Sequence, residues 1–489
     1  MKKIIKVATA LFLTSLLIGC TFSKKKYKSY EEYPVYEGND MELTYSSEKS
    51  SFRVWSPNAD SVVLSLYEDG IKGKAYRSLS MKRSKKGTWK AAVKGDLKGK
   101  FYTFRVKIGD KWLNQTPGIW AKAVGINGQR GAIMDMNETN PQGWENDQHQ
   151  FPNNPTDAII YEVHIRDFSV SPNSGMNNKG KFLAFTEKGT KNNFGQATGI
   201  DHLKELGITH IHLLPSFDYA SIDESRLEDK KYNWGYDPQN YNVPEGSYST
   251  NPANPIQRIK ELKQLIQSAH KEGIGVIMDV VYNHTYVGGE SHINQLVPGY
   301  FYRFNQDSTW SNASGCGNEI ASERPMVRKF MVESLVYWAK EYHIAIRQEL
   351  NKINPKILLY GEGWTAAGSP LAEEKRALKK NVKKLDGIAV FSDDIRDALK
   401  GNWTNKLPGF VAGRENIENA VKFGIVGGID FEGIDSTRLM HSSAPYTENP
   451  TQIVNYASCH DDMCLVDKLK SRRPKGATDK EIQKFHQLA

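Results

Sequence analysis

Residues 256–284 read IQRIKELKQLIQSAHKEGIGVIMDVVYNH. Two periods meet in this stretch. Ile256, Ile259, Leu262, Leu265, Ile266 and Ala269 recur at helical spacing, and Gly273 closes that helix. Ile274 to Val281 then runs apolar and β-branched, as a buried strand does. A polar cluster, Asp279, Asn283 and His284, stands at its carboxyl end.

The same unit repeats on both sides. Ile159 to Ile165 reads as a buried strand, Ile200 to Leu206 as a short helix closed by Gly207, and Thr209 to Leu214 as the next strand. Val327, Phe330, Met331, Leu335, Trp338 and Tyr342 mark a later amphipathic helix. Ile357 to Tyr360, Gly387 to Phe391 and Ile453 to Ser458 read as further strands. Strands alternating with helices predict an α/β fold, a parallel sheet closed as a (β/α)8 barrel, over residues 136–489. Residues 41–135 carry a different rhythm. Ser51 to Trp55, Ser61 to Tyr67, Trp89 to Val93 and Phe101 to Ile108 are short strands parted by Gly- and Pro-containing turns. That pattern predicts a β-sandwich ahead of the barrel.

The chain of 489 residues opens with an export signal. Lys2, Lys3 and Lys6 form a positive region, and Val7 to Ile18 is apolar but too short to span a bilayer. Leu17-Ile18-Gly19-Cys20 has the form of a bacterial lipobox, with lipid expected on Cys20. Residues 1–20 are therefore read as a lipoprotein signal and 21–40 as a polar tether. The lysines at 24, 25, 26 and 28 suit anionic headgroups. The expected location is the bacterial cell envelope, at its periplasmic or surface face. Net charge is +9, but the signs are interspersed, which argues against nucleic acid as a partner. Beyond Cys20 the cysteines are Cys316, Cys459 and Cys464, too few and odd in number for a disulfide framework.

Barrel chemistry sits at the carboxyl ends of strands. Those ends here are Asp279 to His284, then Gly361-Glu362-Gly363-Trp364, then His460-Asp461-Asp462. Such a set suits glycosidic bonds. Retaining cleavage needs one carboxylic acid to protonate the leaving oxygen and a carboxylate nucleophile about 5–5.5 Å away. Glu362, between glycines that leave room for a substrate near the backbone, is the natural acid, and Trp364 offers a stacking face.

These three clusters resemble three of the four short regions of the alpha-amylase clan of glycoside hydrolases. The run Tyr232-Asn233-Trp234-Gly235-Tyr236-Asp237-Pro238 is similar to the signature of type I pullulanases. Tyr161 to Phe168, Gly315 to Asn318 and Ser322 to Pro325 resemble that group too, and Phe52 to Pro57 resembles the carbohydrate-binding-type sandwich before its barrels. The resemblance implies that Glu362 is the acid/base and that Asp461 grips hydroxyls of the reacting sugar in the transition state. It implies that His284 and His460 hydrogen-bond that sugar, that Tyr236 stacks on it, and that Asp279 and Asn283 support the site. Asp462 stands where Asn is more usual. The implied substrate is an alpha-glucan with alpha-1,6 branch points, in pullulan, starch or glycogen. No cofactor is expected; the clan admits calcium, but no ligand loop here supports it.

One region of the family pattern is missing. A strand-four segment carrying an Arg and the nucleophilic Asp should follow Tyr342-His343. Instead Ile344 runs into Ala345 to Leu350, which reads as the next helix, with Arg347 and Glu349 on it. The chain also stops at Ala489 before a strand eight. The barrel is therefore expected to lack strands four and eight, and the debranching hydrolase to be inactive as written. The alternative is a non-catalytic glucan-binding surface lipoprotein. A general alpha-1,4 amylase is disfavoured by the Tyr232 to Pro238 run.

Overall fold

The computed structural model describes residues 26–148, 152–344, 358–402, 407–461 and 463–489. Cys20, Arg347, Glu349 and Asp462 lie outside the described residues, as does the Ile344–Ala345 junction on its C-terminal side.

The first unit is a two-sheet sandwich. Its strands are β1 (Glu42–Ser46), β2 (Lys49–Trp55), β3 (Ser61–Tyr67), β4 (Arg77–Ser80), β5 (Lys82–Arg83), β6 (Thr88–Lys94), β7 (Phe101–Ile108), β8 (Lys111–Trp112) and β9 (Gly131–Ala132). One sheet runs β1-β2-β6-β5 and the other β4-β3-β7-β8, with β9 beside β7. Alternation does the work: Phe52 and Val54 face Val62, Leu64, Leu66, Phe104 and Val106, all essentially inaccessible to solvent. The stretch read as a tether is packed from Lys26 onward. Lys26 Nζ pairs with Asp60, Tyr27 exchanges hydrogen bonds with Asn58, and the Trp55 indole donates to Pro34 O. The polar reading missed that its tyrosines bury: the Tyr33 ring stacks on that of Tyr300, 5.3 Å between centroids.

The second unit alternates strands and helices: β10 (Ile160–Val163), α1 (Gly199–Glu205), β11 (His210–Leu213), β12 (Phe217–Tyr219), β13 (Pro238–Pro244), α2 (Pro255–Lys271), β14 (Gly275–Met278), α3 (His292–Leu296) and α4 (Pro325–Tyr342). After these come β15 (Tyr360–Gly361), β16 (Ala389–Phe391), α5 (Asp393–Lys400), α6 (Glu418–Ile425), β17 (Ile453–Val454), α7 (Leu465–Ser471) and α8 (Asp479–Leu488). α2 shows why the pattern folds this way. Asn254 caps it by accepting from the N–H groups of Ile256 and Gln257, Pro255 opens its first turn, and Gly273 turns away at φ 76°. Its stripe of Ile259, Leu262, Leu265, Ile266 and Ala269 is wholly buried. Burial of each large member stabilises by roughly 1.5–3 kcal/mol.

The parallel strands form two three-stranded sheets, β10-β11-β14 and β15-β16-β17. Among the described residues no strand joins β14 to β15 or β17 to β10. The strand at Ile159 to Ile165, expected to be buried, is buried only at its carboxyl end: Ile159 is 56% exposed and Tyr161 40%. These two point away from the sheet face that carries Ile160 and Glu162, where no described element covers them.

Candidate active site

The Tyr232 to Pro238 run forms the end of the loop between β12 and β13, entering β13 at Pro238. Local chemistry shapes it. Asn233 Oδ1 accepts from the Gly235 N–H at 2.8 Å, and its Nδ2 donates to Asp237 Oδ1 at 2.6 Å. Gly235 takes φ 96°, and a Cβ there would lie 2.6 Å from Pro215 O. Only glycine fits both the dihedral and the contact. The loop so folded presents Trp234 and Tyr236 to the strand ends.

Five strand ends meet there. Asp279 follows β14 directly. Its Oδ2 accepts from the Tyr236 hydroxyl at 2.6 Å and lies 3.6 Å from Nε2 of His212, on β11. His212 Nδ1 in turn meets the hydroxyl of Tyr360, on β15, at 2.9 Å. His460, beyond β17, is held by Glu162 of β10 and stacked against the Tyr236 ring at 5.0 Å. Glu362 follows β15 and lies within electrostatic reach of Asp461, Asp279 and His460.

The charges interact. The Glu362 carboxyl opens on the cleft, yet it titrates above the ordinary carboxylate range. The desolvating walls around it are the main cause, followed by the negative charges of Asp461 and Asp279; His460 and a hydrogen bond from Trp364 act the other way. Burial also pushes Asp279 up, but the bonds with His212 and Tyr236 and the charge of His460 outweigh it, so Asp279 titrates low. His460 titrates high: burial opposes its charge, and Glu162, Asp279 and Asp461 more than offset that. The arrangement thus sets a carboxyl whose titration is raised beside one whose titration is lowered, the direction of difference that acid-assisted bond cleavage uses.

Glu362, Asp461, Asp279, His460, Tyr236 and Trp364 are therefore brought together. His284 stands differently. It is 4% exposed; its Nδ1 meets Asn283 Oδ1 at 2.6 Å and its Nε2 meets the carbonyl of Tyr236 at 2.8 Å. The Nε2 contact with the Tyr236 carbonyl lets His284 brace that backbone. Asn283 joins that brace. The glycines flanking Glu362 also part ways. Gly361 borders open space, but a Cβ on Gly363 would come within 2.8 Å of the Lys379 side chain, so close packing explains it. Glu162, His212 and Tyr360 were not singled out from sequence. The signal available was their place on strands leading to the clusters already read.

Among the described residues, Asp218, Glu224 and Glu245 bring carboxylate oxygens within 4.8 Å of one another. They do not fit a metal. The Arg258 guanidinium already bridges Asp218 at 3.1 Å and Glu224 at 2.6 Å, and Asn240 and the N–H groups of Tyr219, Gly246 and Ser247 bond the remaining oxygens. The positive partner here is a side chain. Cys316, Cys459 and Cys464 are free thiols. No helix of the described residues is long and apolar enough to cross a membrane.

Known proteins resemble this chain in sequence and fold. Residues 40–120 match the family model for carbohydrate-binding module 48 (isoamylase N-terminal domain), and residues 166–295 that for the alpha amylase catalytic domain. Pullulanase from Bacillus subtilis strain 168 is 37% identical over 479 residues, 94% of this chain but 64% of the relative, so the chain spans less than two thirds of that protein's length. The crystal structure of pullulanase from Paenibacillus barengoltzii with maltohexaose and alpha-cyclodextrin superposes with a TM-score of 0.89 at 46% identity, covering 94% of this chain and 72% of that one. Type I pullulanase from B. subtilis with maltose gives 0.86 at 36% identity, covering 95% and 65%. Identity at that level, sustained along nearly the whole chain and over a sandwich joined to an amylase-type barrel, places this protein in the type I pullulanase family of the alpha-amylase clan.

Proposed function

We propose that this chain is built as an alpha-glucan debranching hydrolase, acting on alpha-1,6-glucosidic bonds of pullulan, starch or glycogen by a retaining route. The observation that carries the reading is the convergence of Glu362, Asp461, Asp279 and His460 from three strand ends. In it Glu362 is the acid/base, and the upward direction of its titration favours that role. Asp461 grips the sugar hydroxyls, and Tyr236 and Trp364 supply ring surface. The second carboxylate of a retaining pair has no counterpart in the sequence between Tyr342 and Tyr360 that matches the family pattern. Without it the glycosyl-enzyme bond cannot form. The chain as given is therefore expected to bind glucan and to hydrolyse pullulan several orders of magnitude more slowly than a complete relative.

The test is pullulan hydrolysis by the unaltered chain and by a chain with a relative's strand-four segment inserted between Ile344 and Ala345. Both are made with and without the relative's sequence added after Ala489, and each with Glu362→Gln as control. Activity gained on insertion and lost with Glu362→Gln is the expected result. Substantial activity in the unaltered chain would show that another carboxylate is the nucleophile.

The match of residues 40–120 to a carbohydrate-binding module favours a second reading, a non-catalytic glucan-binding envelope lipoprotein. Glucan capture by a cooperatively folded chain, with no hydrolysis after insertion, would select it. Export and anchoring at Cys20 belong to both readings and rest on the lipobox.

A further inference from the structure

Glu162 is the third residue of β10, on the face of that strand that lines the space between the two parallel sheets. Its carboxylate makes two bonds to one residue far along the chain. Oε2 accepts from the backbone N–H of His460 at 2.5 Å, and Oε1 meets His460 Nδ1 at 2.8 Å. Both groups are mostly shielded from water: the side chains are 19% and 21% exposed. The imidazole has little freedom left. The Tyr236 ring lies nearly parallel to it, 22° between planes, and the Trp234 ring meets it at 73° and 5.2 Å. Nε2 makes no hydrogen bond among the described residues and is the nitrogen left for the cleft.

A carboxylate can only accept, so the His460 nitrogen facing Glu162 must carry the proton. That fixes the neutral tautomer as Nδ1–H and leaves Nε2 as the nitrogen that gains or loses charge, as a carboxylate behind an imidazole does elsewhere. The groups facing His460 are Glu162 on β10, Asp279 after β14, Glu362 after β15, and Asp461 on its own loop. All are acidic, and Glu162 alone bonds the ring directly.

We propose that Glu162 is a positioning residue: it sets the tautomer, orientation and charge of His460, so that Nε2 is presented to a ligand hydroxyl as a charged hydrogen-bond donor. The role of the ligand rests on the glucan reading above; the role of Glu162 toward His460 does not. Glu162→Gln keeps the shape of the side chain and an oxygen for Nδ1–H but removes the charge. Glu162→Ala removes both.

The experiment follows the His460 ring signals by NMR across pH, assigned with His460→Gln, in the unaltered chain, Glu162→Gln and Glu162→Ala. Maltotriose affinity is measured in parallel at pH 5.5 and 8. Glu162→Gln is expected to lower the His460 titration midpoint by about one pH unit or more. It is expected to weaken maltotriose binding about tenfold at the pH where only the parent ring is charged, with a smaller loss at pH 5.5. An unchanged midpoint would overturn the proposal. So would ring nitrogen shifts showing an Nε2–H neutral tautomer in the unaltered chain, a measurement that needs no variant to fold. If the unaltered chain binds no maltotriose while the midpoint still shifts, the glucan reading fails and the Glu162–His460 pairing stands.

Discussion

The hydroxyl of Tyr236 donates to Oδ2 of Asp279 at 2.6 Å, and this bond ties the β12–β13 loop to the end of β14. It is one of the contacts that hold Asp279 below its ordinary titration range. Tyr236→Phe leaves that oxygen with only the more distant His212. We expect a loss of about 1–3 kcal/mol in unfolding free energy at neutral pH, read from urea transitions. A depressed carboxylate stabilises above its unfolded value and stops doing so as pH falls through its folded one. The gap between variant and parent should therefore narrow in acid. Equal transitions at pH 7 would show the bond to be energetically idle.

Glu42 makes the opposite prediction. It is 1% exposed, and its Oε1 accepts from the N–H groups of Ile119 and Trp120 while Oε2 has no partner. Burial pushes its titration up to about 8, against the two backbone bonds. The folded state thus keeps a proton that the unfolded chain releases near its ordinary value. Stability from this group is full below about pH 4.5 and is lost as pH rises toward 8. Glu42→Gln retains the accepting oxygen and cannot ionise. Its melting temperature should match the parent near pH 5 and exceed it by several degrees at pH 8.5. A variant that melts lower at both pH values would contradict this.

Gly235→Ala tests the loop. The added methyl meets Pro215 O, and the φ of 96° is costly for any residue with a Cβ. A destabilisation of about 1–3 kcal/mol is expected. Because the loop carries Trp234 and Tyr236, maltotriose affinity should fall further than stability alone accounts for. Retained affinity would separate the loop from the binding site.

Cys20→Ser should move the protein from the membrane fraction to the soluble fraction when expressed in a bacterial host with lipoprotein processing. One acyl-bearing cysteine with neighbouring lysines is the anchor the sequence offers. Sedimentation identical to the parent would refute the lipobox.

Much of this architecture was legible in the linear chain. Helix α2 announced itself through its period and closing glycine, and the sandwich strands Ser61–Tyr67 and Phe101–Ile108 have the bounds their alternation suggested. Those signals are local, since helix and strand periods repeat within a few residues. The strand-end clusters were legible for the same reason: an apolar run followed by Asp279, Glu362 or His460 marks where a barrel strand stops.

What tertiary structure alone decided was who meets whom. Glu162 and His460 are 298 positions apart, and no period links them. Arg258 reads as an ordinary charge on a helix, yet it is fully buried between Asp218 and Glu224. His284 reads as one of a strand-end cluster, and only the fold sets its Nε2 against the Tyr236 carbonyl, 48 positions away. Ile159 and Tyr161 looked like core and face solvent. The physical reason is common to the first three. Residue type and spacing determine which element forms and which face is apolar, but hydrogen-bond capacity and charge are satisfied by whatever the packing of distant elements places within about 3 Å.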